Sequence, residues 1–527
     1  MNFTYKEFMI NNKKHKSKSF KMTLLDEYKS SKQKGKYLLI KKEFEKSLRF
    51  FKFAATLAWK YPILFDFVDD DLELELQKIS RILIGNKNDD NFSNYCENRV
   101  VLYSGQIVDK GALTEQYLHH FVEHGYEVLL VVPDISKTVR GKGIVKYIDS
   151  QPSVTLFVPK SKILCDKIIE IRSKIVKFNP SKLFLHFMPN DVEGYCAIYG
   201  IKQTKFYIVH NDHTFWLGKG CSDYFIEFRD FGVSLSYYRR KIHIKRLLQI
   251  PFYPIVDSAK EFQGFPFNRQ GKVVGVSGAN LYKYSLDKEL KFFHIIKELI
   301  WENKDFIFCL CGWGDDTFVK KFLFENKLED RFYFLGRRDD FSEVVANSDI
   351  LFESYPLKGG LVALSASIHR IPIIGIADDN TPAGSLEDFL SIDNYNQPNN
   401  IQKFKLEADK LIKDKNYRNN LGLICSNNKF NKNDFTYSIQ KLLNNKLQVL
   451  GPVRLKPLKI NDEEYLKLYQ GTSDSINQEI AWMKLKALHT TLGFYAIIYL
   501  ARIIFSNKVL INLKIVVLRL FNFNSIE

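Results

Sequence analysis

From Arg99 onward, short apolar runs alternate with stretches whose apolar residues recur at helical spacing. The first series reads RVVLYSG, EVLLVVP, VTLFVP, KLFLHF, KFYIVH, DYFIEF and LLQIP. A second series reads KVVGVSG, FIFCLCG, RFYFLG, DILFES and IPIIGI. Apolar runs of this length separated by helices predict parallel strands covered on both faces. The fold class is therefore α/β, with two Rossmann-like domains expected at 96–262 and 270–448. Between the two series, SAKEFQGFPFNRQG carries Gly264, Pro266 and Gly271 and reads as a linker. Two such domains leave a cleft between the carboxyl ends of their sheets, where ligands bind in this architecture.

The flanks follow a different pattern. Residues 1–95 hold few turn formers before Gly85, and 44–59 is apolar at helical spacing, so this zone is expected to be a helical, basic extension. Residues 452–527 are expected to form a helical tail, apolar and basic. The stretch 490–506 is short for a bilayer span and contains Arg502. The following KVLINLKIVVLRLF sets Lys508, Lys514 and Arg519 in an apolar background. That pattern suits either a helix in the membrane interface or a helix pair packed on the core.

Charge narrows the partners. The formal net charge is +17, with Lys13, Lys14, Lys16, Lys18 and Lys21 clustered near the start. An excess of this size points to nucleic acid, a membrane surface or a phosphorylated substrate, unless the cluster is simply a solvated face. Nucleic acid is not expected, because the Phe and Tyr residues fall mostly within apolar core runs and not between basic ones. The seven cysteines include no CxxC pair, and Cys309 and Cys311 fall on one face of a buried strand, so neither zinc nor a disulfide framework is expected. The first residues, MNFTYKEFMINNKK, lack the apolar stretch of a signal peptide, which suggests a cytoplasmic protein.

The densest chemical signal is 335–374, LGRRDDFSEVVANSDILFESYPLKGGLVALSASIHRIPII. A strand ends in Glu353, and Gly359 and Gly360 open the next helix. Glycines there let backbone N–H groups approach an anion that the helix dipole favours, although a tight turn alone would also use them. The stretch resembles the donor-binding half of GT-B glycosyltransferases, and among them the group of O-linked N-acetylglucosamine transferases. The resemblance rests on Glu353, Pro356, Gly359 and Gly360, and on SGANLYKYS, where an Asn-x-x-Tyr-Lys-like element brings a lysine to the donor diphosphate. It covers roughly 272–390 and implies donor contacts at Lys283, Gly278, Arg337, Glu353, Gly359, Gly360 and Leu361. Retaining GT-B enzymes commonly carry two glutamates eight residues apart here, and this sequence has Leu357 and Ser365 at those places. The resemblance therefore implies an inverting transfer, with a UDP-sugar as the expected donor and a glycan, lipid-linked molecule or protein as acceptor. A nucleotide-sugar epimerase of the same architecture and a non-catalytic scaffold are the alternatives.

An inverting transfer needs a base for the acceptor hydroxyl and positive charge for the departing diphosphate. The base is expected in the first domain, after KFYIV, in VHNDHTFWLGKGCSDYFIEFRDFG. His210, Asp212 and His213 lie at that strand end, and either Asp212 or His213 is expected to take the proton. His186 is a further cleft candidate. Trp216 is either a sugar platform or core, and Arg229 is either a cleft cation or a surface residue. In GT-B enzymes the first loop of that domain borders the acceptor site and sometimes the donor phosphates, so the resemblance implies such contacts at Gly111 and Ala112. The acidic pairs Asp315–Asp316, Asp339–Asp340 and Asp378–Asp379 stand near helix starts, which suits dipole capping better than metal binding. No metal and no cofactor are expected, the nucleotide-sugar being a substrate.

Overall fold

The computed structural model describes residues 20–85, 95–105, 113–133, 142–250, 252–253, 261–377, 397–427, 431–447, 451–458, 460–467, 480 and 483–484. All twelve apolar runs become strands. The first seven are β1 (Cys96–Ser104), β2 (Glu127–Val131), β3 (Val154–Phe157), β4 (Pro180–His186), β5 (Thr204–Ile208), β6 (Tyr224–Glu227) and β7 (Leu247–Gln249). They form one parallel sheet in the order β3-β2-β1-β4-β5-β6-β7. The second sheet contains β8 (Val273–Asn280), β9 (Phe306–Trp313), β10 (Phe332–Gly336), β11 (Ile350–Phe352) and β12 (Ile373–Ile374). It is parallel too, in the order β10-β9-β8-β11-β12. Each sheet reverses its winding beside its first strand, between β1 and β4 and between β8 and β11, and such switch points are where doubly wound sheets bind ligands.

The first sheet shows the period-two rule directly. Val101, Tyr103, Leu129, Leu183, Leu185 and Tyr207 face one core. Val100, Leu102, Val128, Leu130, Phe184 and Phe206 face the other. The N-terminal helices Phe20–Ile40, Phe44–Lys60 and Asp70–Ile84 cover the first of these faces. They are thus part of the first domain's core and not an extension apart from it, and residues 1–19 lie outside the described residues. Lys52 pairs with Glu193 at 2.5 Å, and Ser80 donates to the Cys196 carbonyl at 2.7 Å. Asp69 caps the third helix by accepting from Leu72 N, with Asp70, Asp71 and Glu73 in its first turn. Glu73 then reaches the loop after β5, accepting from the backbone N–H of Gly218 at 2.7 Å and of Gly220 at 2.6 Å.

The chain also crosses back. The helix Lys432–Leu443, expected in the second domain, lays Phe435, Ile439 and Leu442 on the first sheet's other face. Phe435 meets Tyr117 edge-on at 5.1 Å. The following segment continues along the first domain, where Arg239 and Asp462 pair at 3.1 Å and Lys484 meets Glu27 at 2.5 Å. The linker joins the second domain: Phe262, Phe265 and Phe267 stack in series, and Phe267 packs on Tyr333. Among the described residues no helix is long and apolar enough to cross a membrane. The apolar stretch 490–519 and Lys13 to Lys18 lie outside the described residues.

Candidate functional site

The second domain assembles its part of the site around its switch point. Lys283 follows β8 and Glu353 follows β11, so the topology brings the two loops side by side. The Lys283 ammonium donates to the Lys358 carbonyl at 2.7 Å. A Cβ added to Gly359 would stand 3.7 Å from that nitrogen, which sets the ammonium beside the start of the helix Gly360–Ile368. Burial lowers the Lys283 pKa, opposed by the carboxylate of Glu353. Burial likewise raises Glu353, against the pull of the Gly359 N–H, Lys358 and Lys283. Glu353 Oε2 accepts from Gly359 N at 3.0 Å, and Oε1 has no hydrogen-bond partner among the described residues. Gly359 has φ −124° and room for a side chain, so neither backbone geometry nor packing demands glycine there. What the glycine leaves is clear approach to the first N–H groups of a helix.

Other donor-side residues divide. Arg337 leaves β10 with its side chain about half exposed and 3.6 Å from Asp339, and Leu361 is exposed on the helix's first turn. Gly278 is instead a packing glycine, since a Cβ there would come within 2.4 Å of the Phe341 ring. That packing is reason enough for a glycine there. Asp315 caps its helix through Thr317 N, as the dipole argument expects. Asp340 does not cap; it makes two hydrogen bonds to Arg338, at 2.7 and 2.6 Å. Asp378 and Asp379 lie outside the described residues. Among those residues no three His, Cys, Asp or Glu side chains converge on a metal position.

In the first domain, His186 ends β4 and His210 lies just past the end of β5, and their rings meet edge to face at 4.3 Å. His186 Nδ1 lies 2.8 Å from Thr114 Oγ1. Burial pushes His186 well below the usual imidazole range, and His210 adds to the effect. Burial also brings His210 down to about 4, so both rings are neutral at pH 7.

Asp212 is fully buried and grips Arg229 through two hydrogen bonds, at 2.5 and 2.9 Å. Burial alone would raise its carboxyl, but Arg229 and His213 hold it well below the usual range. His213 keeps a quarter of its side chain exposed and sets Nδ1 3.2 Å from Asp212 Oδ1. Two expectations change here. Arg229 is not a cleft cation, being buried and committed to Asp212. Trp216 offers no face to a sugar, because it is buried against Tyr207 at 4.6 Å and beneath Arg240 at 4.7 Å. Gly111 and Ala112 lie outside the described residues.

With this geometry, similarity to known proteins can be weighed. Residues 257–424 match the model of the glycosyl transferases group 1 family. No curated protein matches the chain by sequence. Among solved structures, a mutant of S. aureus TarM in complex with fondaparinux, α-GlcNAc-glycerol and UDP aligns with a TM-score of 0.50 at 9% identity, covering 66% of this chain and 99% of that one. Anabaena Alr3699/HepE in complex with UDP and glucose aligns with a TM-score of 0.49 at 14% identity, over 66% of this chain and 99% of that one. A putative UDP-N-acetylglucosamine 2-epimerase from Listeria monocytogenes gives 0.49 at 11% identity, over 69% and 100%. The fold is that of two Rossmann-like domains in the GT-B arrangement, and the family match over the second domain supports a GT-B glycosyltransferase.

Sequence reasoning missed several residues behind His213. Glu227 ends β6 fully buried, hydrogen-bonded to Ser236 and close to Arg240, and burial raises its carboxyl to about 7. The unfolded chain gives up that proton near pH 4.3. Between there and pH 7 the folded state holds more protons, so this group's contribution to stability falls as pH rises and levels off above 7. Glu227→Gln keeps the shape without the charge. Its unfolding midpoint should drop less than the wild type's between pH 5 and pH 8, and an equal drop would disprove the assignment.

Proposed function

We propose that the protein is an inverting glycosyltransferase that moves a hexosyl or N-acetylhexosaminyl group from a nucleotide-sugar, with UDP-sugars the first candidates, to a glycan, lipid-linked or protein acceptor. The observation that carries this reading is the Lys283 ammonium beside Gly359 at an open helix N-terminus, next to the second sheet's switch point. A diphosphate there meets a cation and the N–H groups of a helix's first turn together. The acceptor oxygen attacks the anomeric carbon, the bond from that carbon to the diphosphate oxygen breaks, and the hydroxyl proton passes to His213. The charge developing on the nucleoside diphosphate is met by Lys283 and the helix N–H groups, so the step needs no divalent metal.

His213, and not Asp212, is the base in this reading. The Asp212 carboxylate is engaged by Arg229 and accepts from His213 Nδ1–H, which leaves Nε2 free to take a proton. Leu357 is buried, and Ser365 faces Ser342 at 3.5 Å, so no carboxylate stands where a retaining enzyme's pair would be. Likeness to the O-linked N-acetylglucosamine transferase group remains part of the proposal, on the motif around Glu353 and Pro356. The basic start and the apolar, lysine-bearing tail favour an acceptor held near the cytoplasmic face of a membrane.

Thermal unfolding against a panel of nucleoside diphosphates and nucleotide-sugars tests the donor site. At a hundredfold excess over its dissociation constant, the correct nucleotide should add about 2.7 kcal/mol. Chelator should not change the shift, and Lys283→Ala should abolish it. A shift that survives in Lys283→Ala, or that depends on chelator, would remove the diphosphate assignment.

A further inference from the structure

The turn that carries His213 is held by two side chains that belong to no donor or acceptor contact. Arg240 Nη2 donates to the Asp212 carbonyl at 2.6 Å and to the Thr214 carbonyl at 2.8 Å. Tyr465 Oη donates to the intervening carbonyl, that of His213, at 2.9 Å. The Asp212 carbonyl belongs to the peptide plane before the His213 Cα, and the His213 carbonyl to the plane after it. Peptide planes are rigid, so fixing both fixes φ and ψ of His213 and with them the direction of its Cβ. Asp212 Oδ1 then sets the ring.

Both clamps are themselves held. Arg240 is fully buried, donates through Nη1 to Ser236 Oγ at 3.0 Å and lies over the Trp216 ring. Tyr465 is 3% exposed and packs with Phe67 and Leu235. The chain leading into it is tied down twice, by Lys456 N to Ser234 Oγ at 2.8 Å and by Asp462 to Arg239.

We infer that Tyr465 and Arg240 are positioning residues for His213, so that the chain following the second domain returns to complete the catalytic turn of the first. The inference rests on the reading of His213 as the base, and its test reads the imidazole as well as the reaction. Tyr465→Phe removes one hydroxyl and keeps the ring. In full-length protein labelled at the histidine ring carbons, with the His213 signal assigned by loss in His213→Gln, Tyr465→Phe should displace that signal. Nucleotide-diphosphate binding should be unchanged, because Lys283 and Gly359 are untouched. Nucleotide release from the donor sugar should slow about tenfold to a hundredfold at unchanged donor KM, with a displaced pH–rate profile.

A His213 ring signal identical to wild type in Tyr465→Phe would overturn the inference whatever the activity. A displaced signal in an enzyme that binds nucleotide but never releases it from a donor sugar would uphold the clamp and sink the functional reading instead. Should Tyr465→Phe fail to fold, Arg240→Lys decides. It keeps the charge but ends one bond short of where Nη2 meets the two carbonyls, and the same displacement is expected.

Discussion

His213→Gln should lower turnover by about 10²- to 10⁴-fold, the usual contribution of a positioned general base, while leaving nucleotide binding intact. The side chain is a quarter exposed and Gln is of similar size, so the fold should tolerate the change. The loss should fall on kcat and not on donor KM, because in the proposed mechanism the base acts on the acceptor hydroxyl and the donor is held by the other domain. His186→Gln and His210→Gln separate the neighbours from the base. Both rings are neutral at pH 7 and face each other, so their loss should be felt as weaker acceptor binding more than slower chemistry. Turnover in His213→Gln within a few-fold of wild type, measured as nucleotide release with donor saturating, would eliminate His213 as the base.

The parts of this site that the sequence reveals are those whose signal is local. A parallel strand covered on both faces must be apolar throughout, so β1, β4, β8 and β9 stand out without any knowledge of what covers them. Lys283 and Gly359 are legible for a related reason. Each lies in the stretch between a strand and the next long helix, and the switch between β8 and β11 brings those strand ends together in any doubly wound sheet. His213 is legible as a polar residue after β5.

What supports His213 is not legible. Tyr465 is 252 residues away, in a segment whose apolar positions announce a buried face but not its partner. Glu73 gives the same lesson from the other end of the chain. In sequence it is one acidic residue in a helix's first turn, yet in the fold it accepts three backbone N–H bonds from the loop after β5. Trp216 and Gly278 are ambiguous in sequence because an aromatic or a glycine beside a strand serves packing and ligand equally well until the neighbours are known. Phe341 decides for Gly278, and Tyr207 with Arg240 decides for Trp216.

Arg229→Leu should destabilise the protein by about 3–5 kcal/mol, because it leaves the Asp212 carboxylate buried without its partner. In the wild type, Asp212 is held below its unfolded value, so its contribution is present above about pH 4 and disappears as pH falls through the depressed pKa. Without Arg229 the burial that already acts on Asp212 dominates, and the carboxyl rises above the unfolded value. Its contribution then runs the other way, and the variant loses stability as pH rises from about 4 towards neutrality. Urea unfolding of Arg229→Leu should therefore show a smaller deficit relative to wild type at pH 5 than at pH 8. Adding Asp212→Asn should return part of the loss, since the amide removes the unpaired charge and not merely its partner. Transfer should stay impaired in that double variant even where the fold recovers. His213 would then face an amide that cannot hold the Nδ1 proton as a carboxylate does, and the Nε2 lone pair would no longer be reserved for the acceptor. A double variant with full stability and full turnover would show that the pair serves the fold alone.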